Sequence, residues 1–114
     1  MRITGIRLRR LRLPLDPPFE PAWDPKPRRS FEATLVYVDT DEGVTGIGSG
    51  DTMDGFERYS GLLVGHDPLD IEHHVRVLET IAFHGGRYWP VEAALWDLAG
   101  KAKGVPTAQL LGGA

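Results

Sequence analysis

The stretch RYWPVEAALWDLAGKAKGVPTAQLLGGA, Arg87 to Ala114, decides the fold. Pro90 suits the first turn of a helix, and Val91, Leu95, Leu98 and Ala102 recur on one face. Gly104 followed by Pro106 stops it. Glu92 near the start and Lys101 and Lys103 near the end complement the helix dipole, and Asp97 and Lys101 form an i,i+4 pair in the favourable order. Ala93, Ala94, Ala99, Gly100 and Ala102 keep much of the surface small, so another element can pack closely against it. Trp96 adds one large anchor.

Upstream, the pattern switches from helical to alternating. In GIRLRRLRLPL, Ile6 and Leu8 alternate with arginines, and so do Leu11 and Leu13, but the two sets are out of phase because Arg9 and Arg10 are both polar. An added residue at that point predicts a β-bulge. SFEATLVYVDT places Phe31, Ala33, Leu35 and Tyr37 on one face of a second strand and Val36 and Val38 on the other. Asp41-Glu42-Gly43 then turns the chain into VTGIGSG. The third strand is rich in glycine (Gly46, Gly48, Gly50), which permits bending or close backbone approach.

Three strands need a helical cover. MDGFERYSGLLVG spaces Phe56, Tyr59 and Leu63 as a helix ending at Gly65. In GHDPLDIEHHVRVLETIAF, Asp67 reads as N-cap, Pro68 as N1 and Asp70 as N3, with Ile71, Val75, Leu78 and Ala82 as the buried stripe. The expected architecture is α+β: a three-stranded antiparallel meander over about residues 1–50, three helices over about 54–104 and a connecting segment over about 105–114. One domain accounts for the whole chain.

Composition agrees with a globular domain of 114 residues, 41% apolar and 25% charged. The absence of cysteine excludes a disulfide framework and thiolate metal sites. No uninterrupted apolar run marks a signal peptide or a membrane span, so the default compartment is the cytoplasm. The net charge of −3 hides an asymmetry: residues 1–30 carry +5 and the remainder −8. That split suits a polyanion-binding arm or two surfaces that attract each other or a neighbouring domain.

Two loops exceed what a minimal domain requires. PLDPPFEPAWDPKPRRS, residues 14–30, is long, stiffened by six prolines and supplied with Phe19 and Trp23, which either fold back on the sheet or are presented to a ligand. Its PxxP matches are too unspecific to carry a reading. GSGDTMDGF places Thr52 and Met53 near a sheet end. Asp51, Asp54 and Glu57 nearby are expected from helix capping, because the calcium-loop pattern is absent.

No phosphate loop, nucleophile elbow or His-Glu-x-x-His motif occurs. His73 and His74 are adjacent on a helix and diverge, and His66 and His84 flank its two ends, so all four read as surface or capping residues rather than metal ligands. Arg7, Arg9, Arg10 and Arg12 on a β-ribbon are of the type that meets nucleic-acid phosphates. The phase slip sends them to both faces and no aromatic residues interleave for stacking, so a charged, solvated edge strand is the simpler reading.

The closing VEAALWDLAGKAKGVPTAQLLGG, the hairpin LVYVDTDEGVTGIGSG and the helix start GHDPLDIE, in this order, resemble the N-terminal capping domain of the enolase superfamily, mandelate racemase/muconate lactonizing enzyme branch. That resemblance covers essentially the whole chain. It implies that the segment after Gly104 leads into a (β/α)₈ barrel of about 250 residues, none of which lies in this sequence. It also implies Mg²⁺ held by that absent barrel, proton abstraction α to a carboxylate, a small carboxylate substrate and a homo-oligomer. No catalytic residue and no metal ligand can be placed in this chain. The loops Leu15–Arg29 and Ser49–Met53 resemble the two that close the barrel mouth, which makes Phe19, Trp23, Thr52 and Met53 the expected substrate contacts. The other class of reading is a free-standing interaction or polyanion-binding module.

Overall fold

In the computed structural model, which describes residues 1–113, β1 (Ile3–Phe19), β2 (Arg28–Thr40) and β3 (Thr45–Gly50) form one antiparallel sheet in the order β1-β2-β3. α1 (Ile71–Phe83), α2 (Trp89–Lys103) and a short α3 (Thr107–Leu110) follow. The α+β meander with a helical layer is therefore the observed architecture.

Val36 and Val38 point into the core from the central strand, while Phe31, Ala33, Leu35 and Tyr37 face outward. α2 covers the inner face of β3, and the three glycines make that possible. A Cβ on Gly46 would lie 2.1 Å from the Ala94 carbonyl oxygen, and one on Gly48 would lie 2.2 Å from that of Pro90. Val91, Ala94, Leu95, Leu98 and Ala99 form the buried face of α2. Ala102, expected on it, is exposed instead, because the last turn of α2 extends beyond the sheet.

Four further expectations from the sequence change. First, β1 carries no bulge between Arg9 and Arg10: its pairing with β2 runs unbroken from Gly5 to Pro14. The register shifts instead between Ile3 and Gly5 and between Pro14 and Phe19. The phase slip is a change of burial along a regular strand. Ile6 and Leu8 face the helices, Arg10 continues that same face where an irregular loop replaces the helical layer, and Leu11 and Leu13 lie on the outer face.

Second, about half of the proline-rich segment is strand, and the loop proper is residues 20–27. β1 continues to Phe19 and β2 begins at Arg28, so the two form a ribbon that extends past the end of β3. β1 is an edge strand, where Pro14, Pro17 and Pro18 sacrifice few ladder bonds.

Third, residues 56–62 form two 3₁₀ turns (Phe56–Arg58 and Ser60–Leu62) rather than an α-helix. Phe56 and Leu63 are buried as expected. The segment is pinned at its end, where Gly65 N–H donates to the Ile3 carbonyl (2.8 Å) and Ile3 N–H to that of His66 (2.9 Å). Gly65 adopts φ +89°, a backbone conformation that favours glycine.

Fourth, α1 starts at Ile71, not Pro68. Asp67 closes the preceding turn through its side chain, accepting from Leu69 N–H at 2.9 Å. The buried stripe is Ile71, His74, Leu78 and Ile81, and Ala82 is exposed. His74 is thus a core residue. His66, expected only to flank the helix, comes close to the pair: its ring lies 5.4 Å from that of His73 and 6.2 Å from that of His74, centroid to centroid.

Candidate functional site

One row across the sheet, Arg10–Thr34–Gly50, marks where β3 ends and only the β1–β2 ribbon continues. From this row the chain leaves β3 directly into residues 51–55. The ribbon and the loop therefore project from the same end of the sheet.

The loop is held by its backbone carbonyls. Thr34 Oγ1 donates to the Thr52 carbonyl (3.1 Å), Arg10 Nη2 to that of Met53 (3.0 Å) and Tyr88 Oη to that of Asp54 (2.7 Å). Three consecutive acceptors are thereby satisfied from β1, β2 and the approach to α2. Met53 has φ +61°, uncommon for a residue with a side chain, and its side chain is 1% exposed. It fills the core, so of the two residues expected here to reach a ligand, only Thr52 is exposed.

Arg10 also donates from Nη1 to Glu57 Oε1 at 2.8 Å, and this bond holds the Glu57 carboxyl below its usual range. Asp54 lies near the same guanidinium, 4.0 Å from Nε. Asp51 accepts from Thr52 N–H at 2.7 Å. These acids thus serve as loop fasteners rather than helix caps. Between ribbon and loop lies a cleft of about 280 Å³, lined by Arg10, Arg12, Glu32, Thr34, Thr52 and Asp54.

Phe19 and Trp23 lie at the far end of the ribbon and do not line that cleft. Both are exposed, at 54% and 69%. Their setting is nonetheless built: the Arg28 guanidinium stacks 4.6 Å from the Trp23 ring centroid and donates to Asp24 Oδ2 at 3.1 Å. Asp24 also accepts from Lys26 N–H, and the backbone bond first, then the Arg28 bond, lowers its pKa. Of the strand arginines, Arg7, Arg10 and Arg12 pair with Asp39, Glu57 and Glu32 of this same chain.

The sequence reading missed Arg10, Thr34 and Tyr88. The first two left a trace as polar residues on the helix-facing side of apolar strands. Tyr88 left none.

A family model for the N-terminal domain of mandelate racemase / muconate lactonizing enzyme matches residues 6–112. The chain belongs to this family. It is 37% identical over 99 residues to the cis-3-hydroxy-L-proline dehydratase of Roseibium aggregatum, an alignment covering 74% of this chain and 27% of that protein. It is 34% identical to the D-galactarolactone cycloisomerase of Agrobacterium fabrum, covering 99% of this chain and 32% of that protein. Among solved structures, an enolase of Streptomyces coelicolor superposes with a TM-score of 0.85 at 32% identity, covering 100% of this chain and 32% of that one. The dipeptide epimerase of Enterococcus faecalis, solved with Mg and L-Leu-L-Tyr, gives 0.82 at 27% identity, covering 97% and 34%.

The chain spans about a third or less of the length of these relatives. Among the described residues no three His, Asp or Glu side chains converge in a way that could hold a metal ion. The acids closest to the candidate site are engaged by Arg10, by Arg12 and by Thr52 N–H. Its residues do not fit a Mg²⁺ site, and no helix among those described is long and apolar enough to cross a membrane.

Proposed function

We propose that this chain is the substrate-capping and specificity domain of a Mg²⁺-dependent racemase, acid-sugar dehydratase or cycloisomerase of the enolase superfamily. The metal ligands and the base that abstracts the proton α to a carboxylate then belong to a (β/α)₈ barrel in the same polypeptide, in a cytoplasmic homo-oligomer. What carries the reading is the common origin of the ribbon and the 51–55 loop at one end of the sheet, within a fold shared with enzymes of that chemistry. In this role the ribbon brings Phe19 and Trp23 over a small carboxylate substrate and excludes water, while Thr52 forms a fixed wall. Met53 contributes through its backbone geometry.

The test begins with the intact mass of the polypeptide that carries this sequence in its native host. A mass well above 12.6 kDa, with room for a barrel, is expected. In that protein, Trp23→Ala and Phe19→Ala are then assayed with Mg²⁺ against a panel of acid sugars and hydroxycarboxylates. A drop in kcat/KM of about tenfold, which is about 1.4 kcal/mol of transition-state stabilisation, is the expected result. A mass of 12.6 kDa without a separate barrel partner, or wild-type kinetics in both variants, would overturn the reading.

A further inference from the structure

We propose that Arg10 is the positioning residue that locks the Thr52 wall to the base of the ribbon, and that discrimination among substrates depends on this clamp. The proposal rests on the capping function above. Arg10 sits in the last row where all three strands pair, the natural hinge line between the helix-backed sheet and the free ribbon. Its guanidinium fork reaches the loop and the 3₁₀ turn after it at once, through the Met53 carbonyl and the Glu57 carboxylate. The Met53 carbonyl accepts from Phe56 N–H as well, at 3.2 Å, so the clamp bears on the turn that keeps Met53 at positive φ. A residue held in that region persists only where its surroundings over-determine it. Thr34 ties the Thr52 carbonyl to β2 in the same row by a single bond, while Arg10 joins the arm that carries Phe19 and Trp23 to the next residue of the wall and to the turn after it by two. Lysine has the charge but not the planar fork that bridges two acceptors.

Hydrogen–deuterium exchange of the chain tests the clamp without reference to activity. In Arg10→Lys, the amides of Thr52, Phe56 and Tyr59 are expected to exchange about tenfold faster, while those of Val36, Val38 and Leu98 keep their protection. Glu57→Gln weakens the same clamp from an exposed position and gives the same pattern at smaller size should Arg10→Lys fold poorly. In the full-length enzyme, Arg10→Lys raises KM for the preferred carboxylate more than for its stereoisomers and changes kcat less than about threefold. Unchanged exchange in the loop, or faster exchange spread over the whole chain, overturns the clamp, and the capping function stands. A loosened loop with an unchanged substrate ranking overturns its role in specificity. Wild-type kinetics in the Phe19 and Trp23 variants fail the capping reading instead, and the exchange result is unaffected.

Discussion

The Asp97 carboxylate of α2 accepts a hydrogen bond from the backbone N–H of Ile47 at 2.8 Å, on the edge of β3 that no strand covers. Lys101, one turn later, pairs with Asp97 at 2.7 Å and donates to the Thr45 carbonyl at 3.0 Å. The i,i+4 pair visible in the sequence is therefore more than helix decoration. It satisfies a donor and an acceptor of an open sheet edge, which would otherwise be free to pair with another chain.

Asp97→Ala is expected to destabilise the domain by about 1.5–3 kcal/mol, the range for a hydrogen bond to a charged group. Asp97→Asn keeps an acceptor and loses less. Lys101→Ala costs under about 1 kcal/mol, because its side chain is 45% exposed and solvent screens the pair. Urea midpoints at constant m-value measure all three.

Gly48→Ala drives a Cβ into the Pro90 carbonyl and the Ala94 amide, both backbone atoms that cannot step aside. A loss of about 3 kcal/mol or an unfolded chain is expected, beyond the usual cost of overpacking. Gly5→Ala is the control: nothing lies within 4 Å of the added methyl, and alanine in a strand gains up to about 1 kcal/mol over glycine. Comparable thermal midpoints for the two variants would refute the close approach of α2 to β3.

Stability should fall as pH drops from 7 to 5. Burial lowers the pKa of His74, opposed by its bond to the Asp67 carbonyl and reinforced by the nearby rings of His73 and His66, with Asp70 opposing. Its Nε2 carries the proton donated to that carbonyl, and Nδ1 has no partner among the described residues. The unfolded chain thus binds a proton at the ordinary value of about 6.5, where the folded chain does not. The unfolded state binds more protons over that interval, so stability is fully present above it and declines as pH falls toward the folded-state pKa. His74→Gln is expected to flatten this slope in denaturant midpoints taken at each pH, whatever it costs at pH 7.

Periodic segments with local stop signals were legible in advance. α2 runs where Pro90, the apolar face and Gly104 placed it, and the hairpin of β2 and β3 turns at Asp41-Glu42-Gly43. Errors arose where burial is decided by a neighbour distant in sequence. The apparent bulge at Arg9-Arg10 was a regular strand running out from under its helical cover. The two ends of the proline-rich segment became strand because β1 and β2 offered each other partners along an edge where few backbone donors were needed. Phe56, Tyr59 and Leu63 had helical spacing, yet the glycines at 55 and 61 and the tie between Ile3 and Gly65 drew the segment into 3₁₀ turns.

The candidate site divided in the same way. Loop length and composition singled out Phe19, Trp23 and Thr52 as unusual, but the burial of Met53 and the clamp from Arg10, Thr34 and Tyr88 involve residues 18 to 43 positions apart. The order of the strands and of α1 and α2, and the inward faces of β2 and most of α2, could be read from the residues alone because they depend on local periodicity and on side-chain volume at adjacent positions, while the family showed in the resemblance of the closing motif, the hairpin and the α1 start. Which row is the last to pair all three strands, which distant side chains hold the loop carbonyls and which aromatics stay exposed emerge only when the elements pack together. Those depend on how separate elements share donors, acceptors and space, and no single segment carries that information.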